Sequence, residues 1–236
     1  MRIEMKIESG LYTYKFDYLM HKWIVEALEG HFRDGETLEI GCFHGRMSSL
    51  LFDRFQNLVI VEPEIENINI TSAVVPAAEI NHCKVEDYVS SSRFQNIFLM
   101  HTLEHIEDDV KALTAIRSLL DKNGRLFVVV PNANAASRQI AVAGGIISSK
   151  KGVTDSEREH GHHRTYDLGD LKQSIHNSGL KTIAEGGVFF KGLANFQLDQ
   201  AIETGIIGAE YLKGCVELGK VMPELCSSIY VVCERD

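Results

Sequence analysis

Apolar residues recur along this chain with two alternating periods. Short buried-type runs occur at Thr37–Ile40, Asn57–Glu62, Ile80–Cys83, Phe94–His101, Arg125–Val130, Leu180–Phe190 and Cys226–Cys233. Between them lie stretches with apolar residues at helical spacing. The segment Leu11 to Leu28 carries Phe16, Leu19, Trp23, Ile24, Ala27 and Leu28 on that spacing, and Arg46 to Phe55 repeats it. Asp108 to Leu120 is amphipathic, with two acids at its start and Lys122-Asn123-Gly124 to close it. Tyr166 to Asn177 reads as helix, ended at Gly179. Strands alternating with helices imply a parallel sheet with helices on both faces.

Two segments interrupt the alternation. Asn132 to Thr165 holds a small-residue helical stretch (Ala135 to Ile147), a Ser-Ser-Lys-Lys-Gly run and the histidine-rich Asp155–Arg164. Its length after a central strand suggests a lid or binding segment. Gly192 to Pro223 is mixed and partly helical. The organisation expected is one domain over 1–236, with a helical cover at 1–30, a lid-like insertion at 132–165 and a C-terminal insertion at 192–223.

Composition narrows the classes. A chain of 236 residues, 44% hydrophobic, can build one large α/β core. Net charge is −9 and no block of lysines and arginines occurs, which argues against a nucleic-acid phosphate track. The five cysteines are dispersed, with no C-x-x-C pair, and fit reduced thiols in a cytoplasmic protein. Met1 to Gly10 mixes acids with apolar residues, unlike a signal peptide, and no apolar run approaches the ~18 residues of a membrane span.

The stretch Thr37–Gly45, T-L-E-I-G-C-F-H-G, is strand, glycine turn, then helix. Glycines let backbone approach a ligand, and a helix N-terminus offers unpaired N–H groups. The spacing is E-x-G-x-x-x-G, not the dinucleotide G-x-G-x-x-G. Glu62 ends the next strand about 20 residues later, where α/β nucleotide sites place a carboxylate for ribose hydroxyls. A carboxylate accepts two hydrogen bonds side by side and suits a vicinal diol.

These segments, with H-T-L-E-H-I at His101–Ile106, G-R-L-F-V-V-V-P-N at Gly124–Asn132 and E-H-G-H-H-R-T-Y at Glu159–Tyr166, resemble the small-molecule class I S-adenosylmethionine-dependent methyltransferases. The likeness covers roughly residues 35–190. It implies a Rossmann-like, doubly wound sheet of seven strands, mostly parallel with the last antiparallel. It also implies S-adenosyl-L-methionine as cofactor. The implied cofactor-binding residues are Glu39, Gly41, Cys42, Gly45, Glu62, Val85, Glu86, Met100 and His101. The Gly41–Gly45 turn would hold the methionine part, Glu62 the ribose, Val85 and Glu86 the adenine edge, and Met100 and His101 the sulfonium. Three positions depart from the family pattern: Phe43 stands where a small residue is usual, and Gln95 and Lys84 where acids are usual.

Methyl transfer needs a nucleophile aligned with the methyl, and a hydroxyl or ammonium acceptor must also lose a proton. Histidine is the natural base near neutral pH. His101 and the cluster His160, His162, His163 supply candidates, with His162 or His163 expected as base beside His101. Arg164 would grip an anionic group on the substrate, since guanidinium forks suit phosphate or carboxylate. Tyr166 and Tyr14 complete the substrate side, Tyr14 reaching over the site from the N-terminal cover. The acceptor expected is a small polar metabolite such as a sugar, a nucleotide-linked sugar or a phosphorylated compound. This reading needs no metal, nucleic acid or membrane. The N-terminal helix and the C-terminal insertion each offer a face for a homodimer.

Two rival readings stand beside it. His101-Thr-Leu-Glu-His105 matches the H-x-x-E-H pattern of zinc hydrolases, although its first histidine follows a strand directly. The three histidines at 160–163 with Glu159 offer another way to hold a metal. A noncatalytic cofactor-binding protein, using Gly192–Pro223 for partner contact, is the other alternative.

Overall fold

Alternate residues of the central strands point to opposite faces, and both faces are apolar. In β4 (Phe94–Met100), Ile97 and Leu99 enter one core layer while Phe98 and Met100 enter the other. In β5 (Leu120–Pro131), Val128 and Val130 separate from Phe127 and Val129 in the same way. Strands buried on both faces need helices on both. The computed structural model describes residues 15–235 and supplies them.

In chain order the elements are α1 (Lys15–Leu28), β1 (Thr37–Ile40), α2 (Arg46–Arg54), β2 (Leu58–Glu62), α3 (Ile65–Val74) and β3 (Glu79–His82). After β4 come α4 (Asp109–Leu119), β5, α5 (Ala136–Ala143), α6 (Asp155–Glu159) and α7 (Leu168–Asn177). Then follow β6 (Leu180–Phe190), α8 (Asn195–Glu203), α9 (Ala209–Val221) and β7 (Cys226–Arg235). The seven strands form one sheet in the order β3-β2-β1-β4-β5-β7-β6. β3, β2, β1, β4 and β5 run parallel, and β7 is antiparallel to both β5 and β6. The fold implied by the resemblance is therefore present, with the closing strand as the antiparallel one. Strand order reverses between β1 and β4, where open α/β sheets form a crevice at their carboxyl ends.

Boundaries moved in three places. Lys122-Asn123-Gly124 is expected to close the helix, but β5 already starts at Leu120, which pairs with Phe94. A register shift between Phe94 and Asn96 absorbs the polar residues, and a Cβ on Gly124 would stand 2.6 Å from the Phe94 carbonyl oxygen. The insertion resolves into α5 and α6, tied together by an Arg138–Glu157 ion pair and a Thr154/Glu157 capping box. The C-terminal segment resolves into α8 and α9. Tyr14, expected on the substrate side, lies outside the described residues.

One layer of the core is aromatic. Phe98 stacks on Phe127 (4.7 Å between centroids, 13° between planes), and Phe32 meets both edge-on at 5.3 Å. α1 closes this layer: Phe16, Met20, Ile24 and Leu28 are buried, and Trp23 stacks on Phe189 at 4.5 Å. The Phe16 N–H donates to Asp199 Oδ1 at 2.8 Å, which ties α1 to α8. Truncating a buried aromatic leaves a cavity that such a stack cannot collapse to fill. Phe98→Ala is expected to lower unfolding free energy by about 3–5 kcal/mol. Urea denaturation checks this, and a loss under about 1 kcal/mol would mean that the layer repacks.

Candidate active site

The carboxyl ends of β1, β2 and β4 converge at the crevice. Leaving β1, Gly41 takes φ 77° and donates its N–H to the Val61 carbonyl (2.9 Å). A Cβ on Gly41 would lie 2.6 Å from the Thr102 side chain, so the turn leaves no room for one. Gly45, at φ 75°, is the residue before α2 and closes the turn onto the Cys42 carbonyl. Glu62, at the end of β2, is 3% exposed. Its Oε2 accepts from the Cys42 N–H (2.9 Å), and its Oε1 accepts from the Glu64 N–H (2.9 Å) and Asn67 Nδ2 (3.3 Å). Phe43 turns outward and stacks on His44 at 3.8 Å, which removes the steric objection to a bulky residue in the turn. Gln95 accepts the Glu36 N–H near the other end of β4, away from the crevice. Val85 is buried and opens the short turn Val85–Asp87 after β3, with Glu86 half-buried beside it.

Beneath the turn sits Glu39, fully buried on β1. Neither carboxylate oxygen has a hydrogen-bond partner within ideal geometry among the described residues, although the Ser48 hydroxyl lies beside it. Burial pushes its carboxyl up to about 8. The Cys42 thiol, also raised by burial, to about 12, is inert at neutral pH.

The other wall of the crevice is polar. His101 leaves β4 at φ 51°, with its N–H on the Val129 carbonyl and its Nε2 3.1 Å from Ser228 Oγ. Its Nδ1 lies 3.7 Å from Glu104 Oε1. Glu104 is 1% exposed, its Oε2 lacks a hydrogen-bond partner among the described residues, and burial lifts its carboxyl to about 8. Burial and the neighbouring His21, His162 and His105 hold His101 down at about 3, so the His101–Glu104 contact is between two neutral groups near pH 7. His162 is held at about 4, chiefly by burial, and His105 is lowered for the same reason. The His105 and His162 rings meet edge to face, 4.6 Å apart.

The structure thus joins His101 to His162 and adds two histidines and one acid that sequence reasoning had set aside or missed. His21 is the clearest omission. It lies on α1, its Nδ1 is buried without a hydrogen-bond partner among the described residues, and burial and the Arg46 charge lower it to about 4. Its only trace in the sequence is a histidine within an otherwise apolar helix stripe. His163 is exposed and donates its backbone N–H to the Glu104 carbonyl (2.9 Å). Arg164 turns to α4 instead, pairing with Asp109 (3.3 Å) and donating to the Glu107 carbonyl. Tyr166 is buried and donates to Asp109 Oδ2 at 2.8 Å. The anionic-substrate expectation for Arg164 and Tyr166 draws no support from this geometry. The H-x-x-E-H segment is no α-helix: Leu103–His105 is a single short turn after a strand. A zinc-hydrolase arrangement with both histidines mid-helix is not formed.

A glycine turn that admits no side chain, an acid at the end of β2 and polar side chains at the end of β4, all on one crevice, fit S-adenosylmethionine, with Glu62 held in place by Cys42, Glu64 and Asn67. The comparisons agree. A family model described as a methyltransferase domain matches residues 12–185, and the chain belongs to that family. It is 21% identical over 183 residues to a ubiquinone biosynthesis O-methyltransferase of Colwellia psychrerythraea, covering 75% of this chain and 73% of that one. Its fold matches an S-adenosylmethionine-dependent methyltransferase from Thermotoga maritima, described as a possible histamine N-methyltransferase, with a TM-score of 0.65, 14% identity and 94% of each chain covered. It also matches the N-methyltransferase NodS from Bradyrhizobium japonicum bound to S-adenosyl-L-homocysteine (TM-score 0.58, 13% identity, 93% of this chain and 87% of that one). This protein is an S-adenosylmethionine-dependent methyltransferase, and proteins described as O- and N-methyltransferases are among those it is similar to. No helix among the described residues is long and apolar enough to cross a membrane.

The buried acids give stability a sign with pH. A carboxyl raised from 4.5 to about 8 holds a proton in the folded chain that the unfolded chain has released. Stability is therefore greatest below about pH 4.5 as far as this group is concerned, and falls as pH rises toward 8. One such carboxyl contributes a slope of at most about 1.4 kcal/mol per pH unit. Glu39→Gln is expected to flatten the decline between pH 5 and pH 8. Denaturant titrations across that range check it; parallel curves for the two proteins would mean that Glu39 ionises normally.

Proposed function

We propose that this methyltransferase acts on an oxygen or nitrogen of a small polar metabolite and that a rim imidazole receives the acceptor's proton. The observation that carries this reading is His101 at the carboxyl end of β4, held by Ser228, between the His105–His162 ring pair and the Thr102 side chain that packs on Gly41. Bound S-adenosylmethionine supplies an electrophilic methyl on a positive sulfur. The protein's part is to hold, orient and exclude water. Glu39, Gly41, Cys42, Gly45, Glu62, Val85, Glu86 and Met100 form the cofactor side. His101, steadied by Ser228 at 3.1 Å, faces the acceptor side with His162. Burial makes these imidazoles weaker bases than a free histidine, but they are uncharged near pH 7, can take a proton without first losing one, and do not repel a sulfonium. α1 and the α5–α6 insertion shield the crevice. The exposed Phe196, Ile206, Tyr211 and Val221 on and between α8 and α9 support a contact with a second copy, which sedimentation would test.

Calorimetric titration of S-adenosylmethionine and its demethylated product should give micromolar binding, weakened at least about tenfold, or ~1.4 kcal/mol, by Glu62→Ala. Absence of heat for both ligands would sink the cofactor assignment. With an acceptor found by screening, His101→Ala and His162→Ala should each cut kcat by about 10²–10⁴ while cofactor affinity holds. His163→Ala should leave kcat within about twofold. Equal turnover in all three variants would remove the histidine base.

A further inference from the structure

We propose that Glu104, His105 and His162 form a divalent-cation site that presents a hydroxyl acceptor to the methyl donor. This deepens the methyltransferase reading and rests on it for the site's role, though not for cation binding itself. One ligand-capable atom from each residue lies within 4.8 Å of the others. Ligands about 2.0–2.2 Å from one tetrahedral ion stand about 3.5 Å apart, so small side-chain rotations bring the three onto one ion. Two imidazoles and a carboxylate match the donor sets of Zn²⁺, Fe²⁺ and Mn²⁺, and three protein ligands on one side leave coordination positions open.

Independent features point to an ion. Glu104 Oε2 is buried and lacks a hydrogen-bond partner among the described residues. An unsatisfied buried carboxylate oxygen is costly, and a cation answers that cost. The His105 ring sits against the backbone of Gly161 and His160, where outer contacts of the kind that fix a ligating imidazole are made. Gly161, at φ 81°, lets the insertion turn there. The His163 N–H on the Glu104 carbonyl then pins the insertion so that His162 meets His105. The ligands come from two segments over fifty residues apart, and the fold brings them together at the crevice rim.

The geometry is not that of a zinc hydrolase. His101 is directed to Ser228 and is not among the three ligands. Glu159, the acid nearest the histidine cluster in sequence, is exposed at the end of α6 and is not among them either. A cation between Glu104, His105 and His162 lies one short turn from His101 and Thr102, so an oxygen on it faces the cofactor side. Coordination lowers the pKa of a hydroxyl, which favours oxygen over nitrogen as the acceptor. With His162 engaged as a ligand, the hydroxyl proton passes to His101 or to water. The oxygen–methyl bond forms as the sulfur–methyl bond breaks, and that electron pair stays on sulfur as a neutral thioether.

The test is calorimetry and elemental analysis of the whole chain with Zn²⁺, Mn²⁺ and Mg²⁺ added singly after chelation. About one equivalent should bind, and Glu104→Gln and His162→Ala should each weaken binding by about 10–100-fold. Glu104→Gln keeps the shape and polarity of a protonated carboxyl while removing the charge that a cation needs. Affinity for S-adenosylhomocysteine, titrated without metal, should stay within about twofold in both variants, which separates loss of the cation site from loss of the fold. Failure of the wild type to bind any of the three ions overturns the proposal, as does binding that neither variant weakens. Loss of S-adenosylhomocysteine binding by the wild type would count against the methyltransferase reading and leave the metal result to be judged on its own.

Discussion

The site depends on how closely β1 and β4 approach at their carboxyl ends. The Thr102 side chain occupies the space a Cβ on Gly41 would need, 2.6 Å away. Because of that contact, the turn proposed to cradle the cofactor and the segment that carries His101, Glu104 and His105 share one wall. Any side chain at position 41 would push them apart and separate donor from acceptor. The clasp of the Cys42 N–H on Glu62 holds the turn from its other side.

The fold was legible because its signal is local and repeated. Period-two strands buried on both faces and helices with one apolar stripe recur often enough to outvote any single ambiguity. The glycine turn and Glu62 were legible for the same reason, since both depend on spacing along a few dozen residues. The acceptor side was legible only in part. Arg164 and Tyr166 read as substrate ligands because a guanidinium beside an aromatic in a polar loop suggests one. The structure turns both to Asp109 on α4, a partner more than fifty residues upstream. Gathering His21 beside His101 and His105 beside His162 needs the cover helix and the insertion to fold back over the sheet. No period or spacing encodes that return.

The crevice keeps several polar groups in an environment that favours their neutral forms. Glu39 and Glu104 are raised, and His21, His101 and His162 are lowered, all chiefly by burial. Such groups oppose folding, since each loses water and few gain a strong partner in return. The aromatic layer of Phe32, Phe55, Phe98 and Phe127 lies on the same sheet and offsets that cost from beneath. Stability and chemistry are thus divided by layer: the rim is under strain and the interior is overdetermined.

Trp23, the chain's sole tryptophan, lies on the helix that carries His21 and is stacked at 9° on Phe189. Its indole emission is consequently a native optical reporter of whether the cover helix is seated. Opening of the crevice can be followed in real time, without a label, from the colour and intensity of a single residue.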